Sequence, residues 1–195
     1  MRKIPLILIS AAALTTVSMA AAPVLAGKPA AKVAAPYVPK VTLTTAGNPL
    51  LGSPAAPTKV VEYLSYACTH CAHFHEVDYK SFRDSHIATG KASLEIRPVA
   101  HNIVGIAAAV AVGCSKQGYF YRTHAMFMET QGVWLTKITG ANGATMKSFE
   151  TGDMPSRLKA VARYGGFYTM MAGRGTSEAQ LNACFADPKA LARLN

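Results

Sequence analysis

Two cysteines with two residues between them, Cys68-Thr69-His70-Cys71, are the groups whose type and spacing can do chemistry. A thiolate attacks disulfides, and a second thiol one helical turn away can close a small ring by attacking the first. The run just before them (Val60, Val61, Tyr63, Leu64) favours a strand, and a helix-like pattern begins directly after Cys68. At such a junction the first thiol sits among unpaired backbone N–H groups that carry about half a positive charge, which favours the thiolate. His70 adds an imidazole between the two sulfurs. Each unit by which a thiol pKa falls stabilises the thiolate by about 1.4 kcal/mol. A stabilised thiolate makes the disulfide the stronger oxidant. Glu62 precedes Cys68 on the strand and is placed inward or nearly so. A buried carboxylate there would take the proton of Cys71 during exchange; the plainer reading is an exposed carboxylate on a polar strand face.

The same stretch contains a second possible chemistry. Cys68, Cys71, His73 and His75 offer two thiolates and two imidazoles to a metal. Zinc sites usually separate their ligand pairs by a longer loop, and His73 and His75 fall on different faces of a helix. No metal and no other cofactor is therefore expected. His86, His101 and His124 read as surface or satisfied core residues. The other two cysteines, Cys114 and Cys184, fall in predicted helices. They either form a second, structural disulfide or act as two small buried thiols.

The wider composition sets limits on function. The chain has 195 residues, half of them hydrophobic and 15% charged, which suits a globular domain. Its net charge is +10, but Lys and Arg are scattered without an aromatic platform, so no nucleic acid is expected as partner. Residues 1–26 read as a cleaved signal peptide: Arg2-Lys3, an apolar stretch over 4–17, and small residues before Gly27. The apolar stretch is short and Ala-rich for a spanning helix. Loss of Arg2 and Lys3 with it would leave a charge of +8. Export to the periplasm or beyond would let disulfides persist.

Residues 27–40 are an Ala/Pro/Lys linker. A short strand is expected over 41–44, turns around Gly47-Asn48-Pro49 and Gly52-Ser53-Pro54, and a central, doubly covered strand over 59–65. A helix over 69–87 follows, then a strand over 92–99 that ends at Pro98 or lies at a sheet edge. Beyond residue 102 the pattern is helical: 103–116, 119–130, a Gly- and Thr-rich loop over 140–152, a helix from Pro155 to Gly165-Gly166, one opened by a Ser177–Gln180 capping box, and a last one at Asp187-Pro188. The β–α–β unit implies a parallel pair with a right-handed crossover, hence an α/β fold.

The residues Gly47-Asn-Pro-Leu-Leu-Gly52, Val61-Glu62-Tyr and Cys68-Thr-His70-Cys71-Ala-His-Phe74 resemble the DsbA-like thiol–disulfide oxidoreductases, as do Arg97-Pro98 and Gln131 with Trp134. The resemblance covers about residues 41–194. It implies a thioredoxin-like fold in which 41–101 carry the CxxC motif and 102–195 form an inserted helical domain. Thr69 stands where the family more often has Pro, which bears on the potential and not on the reaction class. The resemblance also implies that a cis-proline loop, a strand pair and a helix would follow, whereas this sequence stops at Asn195; the fold is expected to be incomplete there. Carried over, Cys68 is the nucleophile, Cys71 the resolving thiol, His70 the tuning residue and Glu62 the buried acid. The implied partners are reduced unfolded polypeptides and a membrane quinone-linked protein that reoxidises the pair. The alternative from another class is a thioredoxin-like remnant that binds unfolded thiol proteins without catalysis.

Overall fold

The structure, a computed structural model, describes residues 37–194. The signal-peptide reading of 1–26 and most of the linker reading lie outside the described residues. Four strands form one mixed sheet: β1 (Val41–Leu43), β2 (Pro49–Leu51), β3 (Thr58–Leu64) and β4 (Ala92–Pro98), in the order β1-β2-β4-β3. β1 and β2 form an antiparallel hairpin with Val41 opposite Leu51, β2 runs antiparallel to β4, and β3 lies parallel to β4 with Glu62 opposite Ile96.

β2 was not expected. Three residues between two turns are too few to show a period, and Pro49 occupies a first strand position, where the missing N–H costs least. Gly52 ends it at φ +93°, and a Cβ there would lie 2.7 Å from the Ile87 side chain. The expected roles of the two longer strands are exchanged. β4 is buried on both faces and sits between two neighbours, ending at Pro98. β3 is the edge: Val60, Glu62 and Leu64 turn inward, Val61 and Tyr63 are exposed, and no strand pairs with its outer side among the described residues. Apolar residues at successive positions of β3 imitate double coverage, while the polar Glu95 and Arg97 of β4 disguise it. Those two are bonded to each other, and Glu95 also accepts from Asn48 at 2.7 Å, whereas the buried Ser93 hydroxyl of the same strand has no hydrogen-bond partner.

The helix expected over 69–87 is broken. α1 (Thr69–Val77) stops at Asp78, α2 (Tyr79–Phe82) makes one turn, and a wide π turn spans Arg83–Ile87. Tyr79, Arg83 and Ile87 are all buried. Steps of four residues drift around an α-helix of 3.6 residues per turn, and the wider turn brings Ile87 back to the inner face.

The remainder is helical: α3 (Ile103–Gly113), α4 (Phe120–Glu129), α5 (Gln131–Thr139), α6 (Gly143–Glu150), α7 (Met154–Gly165), α8 (Phe167–Ala172), α9 (Glu178–Ala186) and α10 (Pro188–Ala192). α3 is an Ala/Val rod with Gly105 and residues 107–112 buried. α6 falls in the expected loop. Asn142 caps it by accepting from the Thr145 N–H at 2.9 Å, and buried Phe149 anchors it, which together override a Gly- and Thr-rich composition. Phe167 makes edge-on contacts with Phe127 and Trp134 at the centre of the helices, and the Trp134 indole donates to the Phe127 carbonyl at 3.0 Å. Cys114, the C-cap of α3, is bonded to Cys184 of α9.

Candidate active site

Cys68 is the N-cap of α1, and its sulfur accepts from the Cys71 backbone N–H at 3.4 Å. The turn before it is fixed from two sides. Gln131, at the start of α5 and buried, donates its amide to the carbonyls of Tyr66 (2.7 Å) and Cys68 (2.9 Å). The first turn of α3 packs so closely that a Cβ on Gly105 would lie 2.6 Å from the Ser65 hydroxyl. Two helices distant in sequence thus hold the loop that carries the nucleophile.

The two thiols are split in acidity. Burial pushes the Cys68 thiol up, but hydrogen bonds from the Cys71 thiol and from the N–H groups of Cys71 and His70 outweigh it, and Cys68 ends below the ordinary thiol value. Cys71 is pushed up to about 11, first by burial and then by the bond of its own thiol to Cys68, with the charges of Cys68 and Glu62 adding. Neither is in a disulfide, and both are half-buried. What His70 supplies here is its backbone N–H; its side chain is exposed.

Beneath the thiols the inward Glu62 expected from the sequence meets partners that the sequence did not announce. Glu62 is paired with His75, whose Nε2 lies 3.1 and 3.2 Å from the two carboxylate oxygens. The His75 side chain is 2% exposed and that of Glu62 15%. His124 stands edge-on to His75 at 4.6 Å between ring centres and bonds the Tyr66 hydroxyl through Nδ1 at 2.8 Å. Burial, and secondarily the charge of His75, hold His124 well below the usual imidazole range. Its Nε2 has no partner, so of the three histidines set aside above, His124 is buried and half-satisfied, while His86 and His101 are exposed. Of the residues considered as metal ligands, His73 points to solvent and His75 to Glu62. No group of three His, Cys, Asp or Glu among the described residues is arranged to hold a metal ion. His75 carried a signal, its spacing of four from Cys71, which puts both on one face of α1.

A family model described as thioredoxin matches residues 44–194. The chain belongs to the thioredoxin family. Among solved structures, this thioredoxin-family chain is similar to a protein-disulfide isomerase from Novosphingobium aromaticivorans, at 28% identity and a TM-score of 0.69 over 74% of each chain. It also shares its fold with alpha-DsbA1 of Wolbachia pipientis, at 23% identity and a TM-score of 0.56 over 78% of this chain and 66% of that one. A Rickettsia typhi protein, named provisionally as a protein-disulfide oxidoreductase, is 28% identical over 97 residues. That match spans 49% of this chain and 36% of the relative's length. The fold is accordingly α/β and thioredoxin-like, with a mostly helical insertion after β4.

The acidity split in this thioredoxin-family site gives a pH signature that only the reduced protein has. A thiol held above its unfolded value, as Cys71 is, contributes stability that is present below the ordinary thiol value of 9.0 and lost as pH rises toward about 11. Cys68, held below that value, contributes stability present above it and lost as pH falls through the folded value. The urea midpoint of the reduced protein relative to the oxidised one is therefore expected to peak near pH 9. Tyr66 and Tyr79, also pushed up by burial, weaken both redox forms at still higher pH, so the difference between the two forms isolates the thiols; a difference that does not fall above pH 9 would contradict the assignment.

Proposed function

We propose that this chain is an exported thiol–disulfide oxidoreductase that transfers the Cys68–Cys71 disulfide to cysteines of folding proteins. Residues 41–101 carry the reacting groups and 102–195 form the helical part that supports them. The observation that carries the reading is the split of the two thiols at the α1 N-cap, one held below and the other pushed to about 11. A low-lying thiolate at Cys68 leaves readily and is attacked readily in mixed disulfides; a high-lying Cys71 stays protonated until it is needed. The relatives named for disulfide exchange support the same class.

In the oxidising direction a substrate thiolate attacks the Cys68 sulfur, the Cys68–Cys71 bond breaks, and its electron pair goes to Cys71, which takes up a proton. A second substrate thiolate attacks the substrate sulfur of the mixed disulfide and releases Cys68 as thiolate. The substrate has lost two electrons and the chain has gained them. Reduced, unfolded polypeptides in the periplasm or outside the cell are the substrates, and a membrane quinone-linked partner returns the pair to the disulfide. Redox titration of the full chain in glutathione buffers tests this. The pair is expected to equilibrate at a potential above thioredoxin's, which is about −270 mV. A pair that never forms the disulfide across the buffer series would sink the reading.

A further inference from the structure

Glu62 and His75 form an ion-pairing contact beneath the reacting thiols, held in place by its neighbours. His75 is fixed by three rings: Phe74 at 5.4 Å, Tyr79 at 4.7 Å and His124 at 4.6 Å between centres. In that orientation Nε2 addresses both oxygens of the Glu62 carboxylate nearly equally. The imidazole lies one turn below Cys71 on the same face of α1. The carboxylate's charge reaches the groups around it: it acts on Cys71, Tyr66 and Tyr79 alike. The groups facing His75 are Glu62 from β3, Tyr66 from the loop before Cys68, His124 from α4, Tyr79 from α2 and Cys71 on its own helix. Tyr121 and Arg83 stand behind Tyr79, bonded to each other at 3.0 Å. Among these, the Glu62 carboxylate is the group whose charge acts on Cys71, and His75 is its hydrogen-bond donor.

We propose that His75 is the positioning residue for Glu62, its Nε2–H holding the carboxylate at the base of α1 so that Glu62 exchanges a proton with Cys71. The inference rests on the disulfide-exchange reading above and specifies how its second thiol is served. When Cys71 leaves, its thiolate takes the proton from the Glu62 carboxyl, and the resulting carboxylate is held by His75. When Cys71 attacks, its S–H proton passes to Glu62, its sulfur bonds to the Cys68 sulfur, and the departing thiolate carries off the electron pair of the broken bond. Without His75 the half-buried carboxylate loses the donor that fixes its position at the base of α1 and no longer serves Cys71.

The test follows the two phases seen when reduced full-length protein is mixed rapidly with dithiobis-nitrobenzoate. One thionitrobenzoate leaves as Cys68 is modified, and a second as Cys71 attacks that mixed disulfide. His75→Phe keeps a ring and removes the donor. It is expected to slow the second phase about 10²-fold near neutral pH, a loss typical of a missing general base. The remaining rate should then rise about tenfold per pH unit toward the range of Cys71, as hydroxide takes over the deprotonation. The first phase, which reads Cys68 alone, should change by less than about twofold, well under one unit of thiol pKa. His75→Gln restores a donor and should bring the second phase back to within a few-fold of the parent. A second phase with the same pH profile in His75→Phe and the parent overturns the proposal, and so does His75→Gln as slow as His75→Phe. Should His75→Phe not fold, Glu62→Gln replaces it: slow with Glu62→Gln and near-normal with His75→Gln supports the pairing, and equal rates for the two overturn it. A parent protein with no second phase overturns the exchange reading itself, and the proposal with it.

Discussion

Cys68→Ala is expected to reduce the oxidation of a reduced, unfolded protein to the buffer's own rate, a loss of at least about 10³-fold. The size follows from what remains. Without Cys68 there is no Cys68–Cys71 disulfide to transfer, and the remaining Cys71 thiol is half-buried and still pushed up by that burial. It cannot replace a nucleophile that sits at a helix N-cap with three hydrogen bonds lowering its acidity value. Cys71→Ala should behave differently. Cys68 still attacks a partner disulfide, forms the mixed disulfide and expels one partner thiolate, but nothing inside the chain resolves it. The reduced variant should accumulate covalent adducts on a non-reducing gel that the parent does not. Oxidation rates of the parent and Cys68→Ala that coincide would end the enzyme reading and leave a protein that binds unfolded chains without catalysis.

The reacting pair was the most legible part of this molecule because its signal is local. A strand, two cysteines at fixed spacing and a helix start all lie within about a dozen residues, and the N-cap geometry follows from adjacency alone. Helix ends with signals in the sequence are equally readable: Pro155 in the first turn of α7, Gly165-Gly166 at its end, and the Ser177–Gln180 box. What failed was whatever depended on partners far along the chain. Strand β3 reads as central because its own residues are apolar on both faces, but neighbours and not residues decide where a strand lies in a sheet. The layer below the thiols failed for the same reason. His75 and Glu62 are 13 residues apart, Tyr66 and His124 58, and Gln131 63 from the Cys68 carbonyl it anchors. No periodicity connects such pairs. A histidine on a mostly apolar helix face reads as core until the carboxylate opposite it is known.

The π turn at 83–87 adds a case in which sequence and structure agree on class but not on register. Both give helix, yet the buried spacing Tyr79, Arg83, Ile87 is met by widening one turn. The consequence reaches the site, because Arg83 thereby meets Tyr121, and those two flank Tyr79, which packs on His75. A local adjustment of backbone thus supports the ring stack that orients the Glu62 partner.

Removing the Cys114–Cys184 bond is expected to cost about 4 kcal/mol of stability, measured as the difference in urea or thermal unfolding between the parent and Cys114→Ala/Cys184→Ala. The bond joins residues 70 apart in sequence. Closing a loop of that length removes entropy from the unfolded chain, and the chain-entropy relation gives this value for it. Against a net stability of 5–15 kcal/mol for an ordinary domain, the loss is large. For a chain of this size each kcal/mol moves the melting midpoint by about 2–4 °C, so a fall of roughly 8–16 °C is expected. Both cysteines must be replaced together, since a single free thiol could attack the Cys68–Cys71 disulfide and confuse stability with exchange. The position of the bond argues for an effect on the site as well as on the fold. The closed loop contains α4 through most of α9, and α3, whose C-cap carries Cys114, presses Gly105 against the loop before Cys68. Loosening α3 at one end should therefore raise the rate at which the Ser65–Cys68 turn opens, seen as faster amide exchange at Cys68 and Ala67. A midpoint unchanged by the double replacement would mean that packing of the buried Ala/Val face of α3 already limits the unfolded ensemble, and the entropic account would have to be abandoned.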